Sequence, residues 1–359
     1  MFRYPTAITP HTIQWHLTAP LSSPPAFALP LLTPAVLATV AAGVEAIARR
    51  SEHRQPAGQL VAVRNGGRRV HVVYHAPPEL VDAPCVVMEA GANSWSPVWE
   101  DVSRHVGQVA RVFRYDRAGF GFSDAVKHPK ERSISSIAKD LQMALSTVGA
   151  NPPYVLVAHS LGALYTNVLV KLLKPSDVCG LVYVDAASPQ TVTMLEDIVP
   201  KQTPPEWLAR SLGYLGLLRV LAPLALRPYT LAFQGSLKKA ATSTWARGDW
   251  LMAYTAEWAA ALRESKQASE GLLHFPPGWL GETPIQVLVP DVYERTSGKA
   301  YISLLQSDVA SYSAESALIG IKDCGHFVQI EKPHIVARAV SEVIQRAKEK
   351  RLIYSDCSG

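Results

Sequence analysis

The fold of this chain is decided by one stretch, Tyr154-Val155-Leu156-Val157-Ala158-His159-Ser160-Leu161-Gly162-Ala163. A run rich in β-forming residues reaches Ser160, and a helix-compatible run, residues 164–174, follows it. Ala158 and Gly162 are small, so a strand and a helix can pass close together in a tight turn around the serine. In such a turn the amide of Leu161 lies at a helix N-terminus and can donate to an oxyanion. A serine that only caps a helix would fit the same residues, and the rest of the chain decides between these interpretations.

Composition limits the class of protein. The chain has 359 residues, 48% of them hydrophobic and 18% charged, which is typical of a globular protein with a large core. The net charge of +5 is mild and Lys and Arg form no dense block, so we expect no nucleic-acid partner. The 4 cysteines stand far apart without a C-x-x-C spacing. They indicate neither a zinc site nor a disulfide framework and favour a reducing compartment.

The N-terminal part, residues 1–55, is predicted to be a leader. Residues 1–34 are rich in Pro, Thr and Ser and contain no Asp or Glu, which suits a targeting segment. Residues 27–48 are an apolar stretch long enough to span a bilayer, although two prolines and a glutamate interrupt it. Arginines follow at once, so a membrane anchor here would leave the downstream domain facing the cytoplasm. The alternatives are a surface-lying or core-packed helix and an organellar leader.

Residues 59–187 and 284–350 are predicted to form one α/β core. A hairpin from residues 60–63 and 70–74 comes first. Apolar strands and helical patterns then alternate, with the strands at residues 85–89, 111–115, 154–158, 180–185, 285–289 and 317–321. Apolar strands separated by helices predict a mostly parallel sheet that is covered on both faces.

Residues 188–283 interrupt this alternation and contain no convincing strand pattern. Helical stretches there carry five of the eight tryptophans, namely Trp207, Trp245, Trp250, Trp258 and Trp279. A helical insert after the strand that follows the serine unit is interpreted as a lid over the site. The alternative is that these aromatic side chains form the ordinary core of a helical subdomain.

A base for the serine is expected near the C-terminus. A serine hydroxyl is a poor nucleophile unless a base removes its proton and a third group orients that base. His326 follows Gly325 just past the last predicted strand and precedes the final helix. This loop lies at the same sheet edge as Ser160, because parallel strands present their carboxyl ends together. His326 is therefore the candidate base.

With these residues in place, the chain from about residue 59 to residue 346 resembles the α/β-hydrolase fold family. Four blocks carry the resemblance in order and spacing: Glu89-Ala90-Gly91-Ala92-Asn93, Tyr115-Asp116-Arg117-Ala118-Gly119-Phe120-Gly121-Phe122-Ser123-Asp124, the serine turn, and Gly325-His326-Phe327 with Glu331 and Pro333. The subgroup that looks most similar shares the Y-D-R-A-G-x-G-x-S-D block and contains hydrolases and acyltransferases. The resemblance implies an α/β-hydrolase fold with a helical lid inserted.

The resemblance also implies roles for site residues. Ser160 would be the nucleophile and His326 the general base, and the amides of Leu161 and Ala92 would form the oxyanion hole. The family often has His-Gly before the oxyanion residue, whereas this chain has Ala90-Gly91, so a side chain that often braces the loop is missing. Branches with an aspartate nucleophile, the epoxide hydrolases and haloalkane dehalogenases, are excluded because this turn carries serine. No metal and no organic cofactor are implied.

The acid of the triad has two candidates. Asp185 ends the strand after the serine unit, and Asp291 ends a later strand but falls earlier than the usual family position, with Glu294 slightly later. We favour Asp185 and keep Asp291 as the alternative. Asp116 and Asp124 are instead expected to hold the Gly-rich loop by Asx-type bonds to backbone amides.

The predicted function is a serine hydrolase that cleaves an ester or related acyl bond of a small molecule through an acyl-enzyme. The Trp-rich lid and the apolar leader favour a hydrophobic substrate. The alternatives are an acyltransferase or carbon–carbon hydrolase with the same triad, and a non-catalytic ligand-binding protein on the same fold.

Overall fold

Strands and helices alternate along most of the chain. A computed structural model describes residues 34–52, 57–63, 67–126, 128–129, 132–267, 273–291 and 308–355. The strands are β1 (Gln59–Ala62), β2 (Arg69–His75), β3 (Cys85–Glu89), β4 (Arg111–Tyr115), β5 (Tyr154–His159), β6 (Val178–Val184), β7 (Ile285–Pro290) and β8 (Ser316–Ile321). The α-helices are α1 (Pro34–Glu52), α2 (Glu100–Val106), α3 (Ile134–Thr147), α4 (Gly162–Leu172), α5 (Pro189–Met194), α6 (Glu206–Tyr214), α7 (Leu217–Ala225), α8 (Arg227–Ala232), α9 (Gly235–Trp245), α10 (Gly248–Gln267), α11 (Val328–Glu331) and α12 (Pro333–Ser355).

The strands form one sheet in the order β1-β2-β4-β3-β5-β6-β7-β8. β2 runs antiparallel to β1 and to β4, and the pairs from β4 onward are parallel. Parallel strands need crossover connections, and helices supply them here. The predicted fold class, a mostly parallel sheet covered on both faces, is confirmed.

Strand periodicity sorts neighbouring residues into two cores. In β5, Leu156 belongs to a core that includes α3 and α4, whereas Val155 and Val157 belong to a second core that includes α2 and α12. Successive side chains point to opposite faces of a strand, so a strand that is apolar at every position is buried on both faces. The sheet therefore has a helical layer on each side, and its strand ends are left to build the site.

Among its described residues, the segment between β6 and β7 contains no strand and holds the helices α5 to α10, which turns and loops connect. α10 packs against α3, α5 and α6, so the insert is joined to the α/β core through its longest helix. The predicted lid, residues 188–283, falls in this segment, and its action as a lid stays a prediction.

α1 lies against this helical insert. The carboxylate of Glu45 is 3% exposed and accepts hydrogen bonds from Arg219 of α7 at 2.8 Å and from Arg49 at 2.7 Å. The Arg49 guanidinium also donates to the carbonyl oxygens of Gly213 at 2.8 Å and Ala246 at 3.2 Å. Burial raises the pKa of Glu45, but the bonds from the two arginines outweigh it and lower the pKa below its ordinary value. The contact is an ion pair formed over a long sequence separation.

The predicted membrane segment, residues 27–48, is described only from residue 34 onward. Among the described helices, not one alone is long and apolar enough to cross a membrane. By length and composition one bent pair does qualify, α6 with α7, whose axes differ by 105°. Membrane association of residues 27–48 stays a prediction.

Candidate active site

Ser160 stands in a strained turn between β5 and α4. Its φ of 49° lies in the left-handed region, which is costly for a residue with a side chain. A Cβ at Gly162 would come within 2.8 Å of the Ala90 carbonyl oxygen, so this position requires glycine. The backbone joins the neighbouring strand end, because the amide of Ser160 donates to Val184 at 3.1 Å. The predicted strand–serine–helix turn is present, and helix capping does not describe it.

His326 contacts Asp185 at the same edge of the sheet. Asp185 directly follows β6, the strand beside β5, and its φ of 44° is also left-handed. One carboxylate oxygen, Oδ2, lies 2.5 Å from Nδ1 of His326. The carboxylate is buried, whereas the imidazole is 34% exposed. A bond at Nδ1 orients the ring and leaves Nε2 as the nitrogen for proton transfer.

Asp291, the alternative acid, has other partners. Its carboxylate accepts hydrogen bonds from the backbone amides of Asp323 at 2.9 Å and Cys324 at 3.1 Å. These amides immediately precede the loop of His326, so Asp291 holds that loop in place. Glu294 lies outside the described residues. The structure thus brings the carboxylate of Asp185 to the imidazole ring, as favoured from the sequence.

A second histidine, which sequence reasoning did not single out, holds the His326 loop from the serine side. His159 precedes Ser160, and its Nε2 lies 2.9 Å from the carbonyl oxygen of His326. Burial lowers the pKa of His159 well below its ordinary value, and the charge of His326 lowers it further. His159 is therefore neutral at physiological pH, and its Nε2–H donates to that carbonyl. The signal in the sequence that could have found His159 is its position directly before Ser160.

The predicted oxyanion loop follows β3 and lies against the serine. A Cβ at Gly91 would come within 3.0 Å of the Cβ of Ser160, so only a glycine lets this backbone approach. Ala92 follows in the loop, and its carbonyl accepts from the Tyr229 hydroxyl of α8 at 3.1 Å. Leu161 directly follows Ser160 and is the last residue before α4 begins. The role of these two amides as oxyanion donors stays a prediction.

Arg117 braces this loop. Its guanidinium donates to the carbonyl oxygens of Ala90 at 2.7 Å and Gly91 at 2.8 Å, and it also bonds the carboxylate of Glu89 at 2.7 Å. A buried arginine therefore supports the loop where the family often has a histidine. Arg117 belongs to the Y-D-R-A-G block that the sequence showed, but its reach to the loop is a long-range contact that spacing does not reveal.

The brace continues into the helical insert as a buried ion cluster formed by Glu89, Arg117, Arg132 and Glu257. Arg117 bonds the carboxylate of Glu257 on α10 at 2.9 and 3.1 Å, and Arg132 bonds it at 2.5 Å. Burial lowers the pKa of Arg117, but the charges of Glu257 and Glu89 outweigh it and raise the pKa above its ordinary value. For Glu257, burial raises the pKa, but Arg117 and Arg132 outweigh burial, and the pKa is lowered below its ordinary value. The cluster links α10 to the oxyanion loop.

Asn93 provides a second link between the insert and the loop. Its side-chain oxygen accepts hydrogen bonds from the indole N–H groups of Trp245 at 3.0 Å and Trp250 at 2.7 Å. Asn93 itself has a left-handed φ of 55°. Two of the predicted lid tryptophans are therefore buried anchors that hold the loop residue in this conformation.

Aromatic side chains stand beside His326. Phe327 packs against Tyr229 at a ring-centroid distance of 5.2 Å and against Phe233 at 5.5 Å. Both partners belong to the helical insert, whereas Phe327 follows the histidine. An apolar wall thus lies next to the exposed imidazole.

Asp116 and Asp124 accept hydrogen bonds from backbone amides, as predicted, but these amides are six or more residues away, so the bonds are not of the predicted Asx type. Asp116 accepts from the amides of Ser96 at 3.1 Å and Phe122 at 3.0 Å. Asp124 accepts from the amide of Arg69 at 2.8 Å. These bonds fix the Gly-rich loop that carries Arg117.

The parallel sheet with a serine turn at its carboxyl edge defines the class as α/β hydrolase. The model of the alpha/beta hydrolase family matches residues 86–339, and the chain belongs to this family. An AB hydrolase superfamily protein of Gibberella zeae is 28% identical over 294 residues, which cover 73% of this chain and 86% of that protein.

Solved structures with the same fold include two enzymes. The Cif epoxide hydrolase from Acinetobacter nosocomialis matches with a TM-score of 0.61 and 15% identity, covering 85% of this chain and 96% of that one. An esterase from Exiguobacterium antarcticum matches with a TM-score of 0.54 and 13% identity, covering 80% of this chain and 99% of that one. At these identities the likeness concerns the fold alone.

Proposed function

We propose that this α/β hydrolase is a serine hydrolase that cleaves an ester or related acyl bond of a hydrophobic small molecule. In this proposal Ser160 is the nucleophile, His326 the general base and Asp185 the acid, a set we name the candidate triad. The amides of Leu161 and Ala92 form the oxyanion hole. One observation carries the proposal: Nδ1 of His326 lies 2.5 Å from the buried carboxylate of Asp185, at the strand end beside the strained Ser160.

The reaction has two halves. Nε2 of His326 takes the hydroxyl proton as Oγ of Ser160 attacks the substrate carbonyl carbon, and the two amides stabilise the negative oxygen of the tetrahedral intermediate. The imidazolium then donates its proton to the leaving alcohol, and the acyl group stays on Ser160. Water attacks the acyl-enzyme with His326 again as base, which releases the acid and restores the serine.

Asp185 acts on the ring and not on the substrate. Its buried carboxylate accepts the Nδ1–H, which sets the tautomer and stabilises the imidazolium. Asp291 is not given this role in the proposal, because its carboxylate accepts the backbone amides of Asp323 and Cys324 and thereby holds the loop that precedes His326.

The chemistry of the site favours a hydrophobic acyl substrate. Phe327, Tyr229 and Phe233 form an apolar wall beside the imidazole. Such a wall excludes water and binds apolar groups. A charged substrate has no apolar group to place against it. Serine in the turn favours acyl chemistry over the epoxide hydrolysis named for one structural neighbour. An acyltransferase would differ only in the acceptor that replaces water in the second half.

Labelling with a fluorophosphonate probe tests the proposal. We expect stoichiometric phosphonylation of the wild type, mapped by mass spectrometry to the peptide that contains Ser160, and no labelling of the Ser160→Ala protein. A Ser135→Ala protein, altered on α3 away from the turn, should label like the wild type. Continued labelling of Ser160→Ala, or an unlabelled wild type, would refute the assignment.

A further inference from the structure

α1 is oriented opposite to an ordinary surface helix. Its charged residues Glu45 and Arg49 face the helical insert and are paired there. Its large apolar side chains, Leu37, Val40, Val44 and Ile47, are all exposed, and Ile47 reaches 70%. Their spacing of three or four positions puts them on one side of the helix. A surface helix normally turns such a stripe toward the protein core.

α7 repeats this orientation. Leu218 and Ala222 are buried on its inner side, and Ala222 belongs to the core that contains Phe327. Its outer side consists of Leu217, Val220, Leu221 and Leu224, all exposed, and Leu224 reaches 72%. The inner side of this helix therefore reaches toward the site, and its outer side is an unpartnered apolar stripe.

The two stripes belong to neighbouring helices. The Arg219–Glu45 ion pair joins α7 to α1, and α6 contacts both α1 and α7. Together with exposed residues of α6 and α8 they form a surface that we name the apolar face. Its members are Leu37, Val40, Val44, Ile47, Trp207, Tyr214, Leu217, Val220, Leu221, Leu224 and Leu231. An exposed apolar surface of this extent indicates an interaction site.

The surrounding charges indicate what covers it. Residues 211–247 contain five basic side chains and not one acidic side chain; the basic ones are Arg219, Arg227, Lys238, Lys239 and Arg247. Arg227, Lys238 and Lys239 are exposed. Arg219 is paired with Glu45, and Arg247 donates to the carbonyl oxygen of Gly119. The exposed positive charge therefore comes from Arg227, Lys238 and Lys239. Exposed apolar side chains with basic side chains on the same or the following helix suit the surface of an anionic bilayer. Its acyl chains accept the apolar groups, and its headgroups attract the basic ones.

We infer that the apolar face docks this protein on anionic lipid bilayers, with α1, α6 and α7 lying along the surface. A symmetric contact between two copies would bring like charges together. Residues 1–33 contain no Asp or Glu and so offer the exposed Arg227, Lys238 and Lys239 no counter-charge. In this proposal α6 and α7 lie along the bilayer surface and do not cross it. One side of each helix is already buried against the protein, through Ala209 and Gly213 in α6 and Leu218 and Ala222 in α7.

Docking here also bears on the site. The core under α7 and α8 contains Phe233 and Phe327, the latter beside His326. A bilayer on the outer side would place lipid-soluble acyl substrates next to the helices that wall the site. This last statement rests on the proposed function, whereas the docking itself does not.

Vesicle flotation tests the docking. The full-length Ser160→Ala chain is mixed with phosphatidylcholine vesicles, with or without roughly one third phosphatidylserine, so that turnover plays no part in the result. We expect flotation with the phosphatidylserine vesicles. Leu221→Glu combined with Leu224→Glu should reduce the vesicle-bound fraction at least about tenfold, because two apolar contacts with lipid are lost.

The matched control is Val81→Glu combined with Val109→Glu. Both side chains are exposed and precede β3 and β4, at the sheet edge opposite the site. This control should float like the parent chain. Three results would overturn the proposal: no flotation of the parent, equal loss in both double variants, or a dimer in light scattering that Leu221→Glu with Leu224→Glu splits while flotation is unchanged.

Discussion

The candidate triad and the ion cluster both consist of polar or charged groups, but the base of the triad is open to water and the cluster is not. The imidazole of His326 is 34% exposed, whereas Arg117 and Glu257 are each 1% exposed. An accessible imidazole can exchange protons with a substrate. A guanidinium enclosed by carboxylates and carbonyl oxygens can only hold its neighbours in position. We therefore expect chemistry from the first region and positioning from the second.

The difference shows how one fold separates two tasks. The triad residues come from the ends of β5, β6 and β8, which the sheet brings to one edge. The ion cluster instead joins the loop after β3 to α10 of the insert. The helical insert therefore helps to hold the loop after β3 in place. The outer helices α6 to α8 carry the exposed apolar side chains Trp207, Leu224 and Leu231.

The largest expected effect concerns the acid of the triad. Replacement Asp185→Asn should lower kcat on the order of 10⁴-fold, because the amide cannot hold the ring in the tautomer that accepts the serine proton. Replacement Asp291→Asn should have a much smaller effect, since that side chain holds a loop. Turnover of both variants with a simple ester decides the matter. Near-normal kcat for Asp185→Asn with a collapse for Asp291→Asn would reverse the assignment.

The next effect concerns stability. Replacement Arg117→Met leaves Glu89 and Glu257 buried without their shared cation and should cost about 3–5 kcal/mol of unfolding free energy. Urea unfolding measures it, with Arg117→Lys as the control that keeps the charge and loses the fork geometry. If Arg117→Met abolished turnover while unfolding stayed unchanged, Arg117 would act in the chemistry and the contrast between the regions would fail.

A pH series examines the same cluster through Glu257. Its folded pKa is lowered, so the folded state binds fewer protons than the unfolded state near acid pH. The stability that this carboxylate contributes is complete above its unfolded pKa and is lost as pH falls through the lower folded pKa. The wild type should therefore exceed Glu257→Gln in urea resistance at neutral pH, and the gap should close under acid conditions. A gap that widens toward acid would contradict the assignment of a charged Glu257.

The smallest effect concerns the tryptophan anchor. Replacement Trp250→Phe removes the indole donor that bonds Asn93 at 2.7 Å and should cost about 1 kcal/mol of unfolding free energy. KM for a long-chain ester should change little, because the ring lies buried in the insert. Trp279→Phe, altered at an exposed ring, is the control for both measurements. A larger change in KM than in stability would show that Trp250 contacts the substrate, as a lid residue would.

Much of the fold and of the candidate site was predicted from local sequence patterns. Ala158 and Gly162 around Ser160, and Gly325 before His326, are signals contained in a few consecutive residues. Alternating strands and helices then predicted the sheet and the shared edge, and the fold is confirmed. The two candidate acids stayed open because Asp185 and Asp291 both end strands at that edge. Sequence spacing does not say which of two neighbouring strand ends turns its carboxylate toward the ring.

The sequence by itself therefore determined the α/β architecture, the serine turn and the placement of His326, since these depend on periodicity and on backbone conformations near each residue. Only the tertiary structure decided which groups meet across long separations. Arg117 finds Glu257 140 residues away, and Arg219 finds Glu45 174 residues away. The apolar stretch near the N-terminus was evident from composition. The ion pair between Glu45 and Arg219 decides which side of α1 faces the protein. A buried carboxylate is stable only beside a cation, so Glu45 must point toward Arg219.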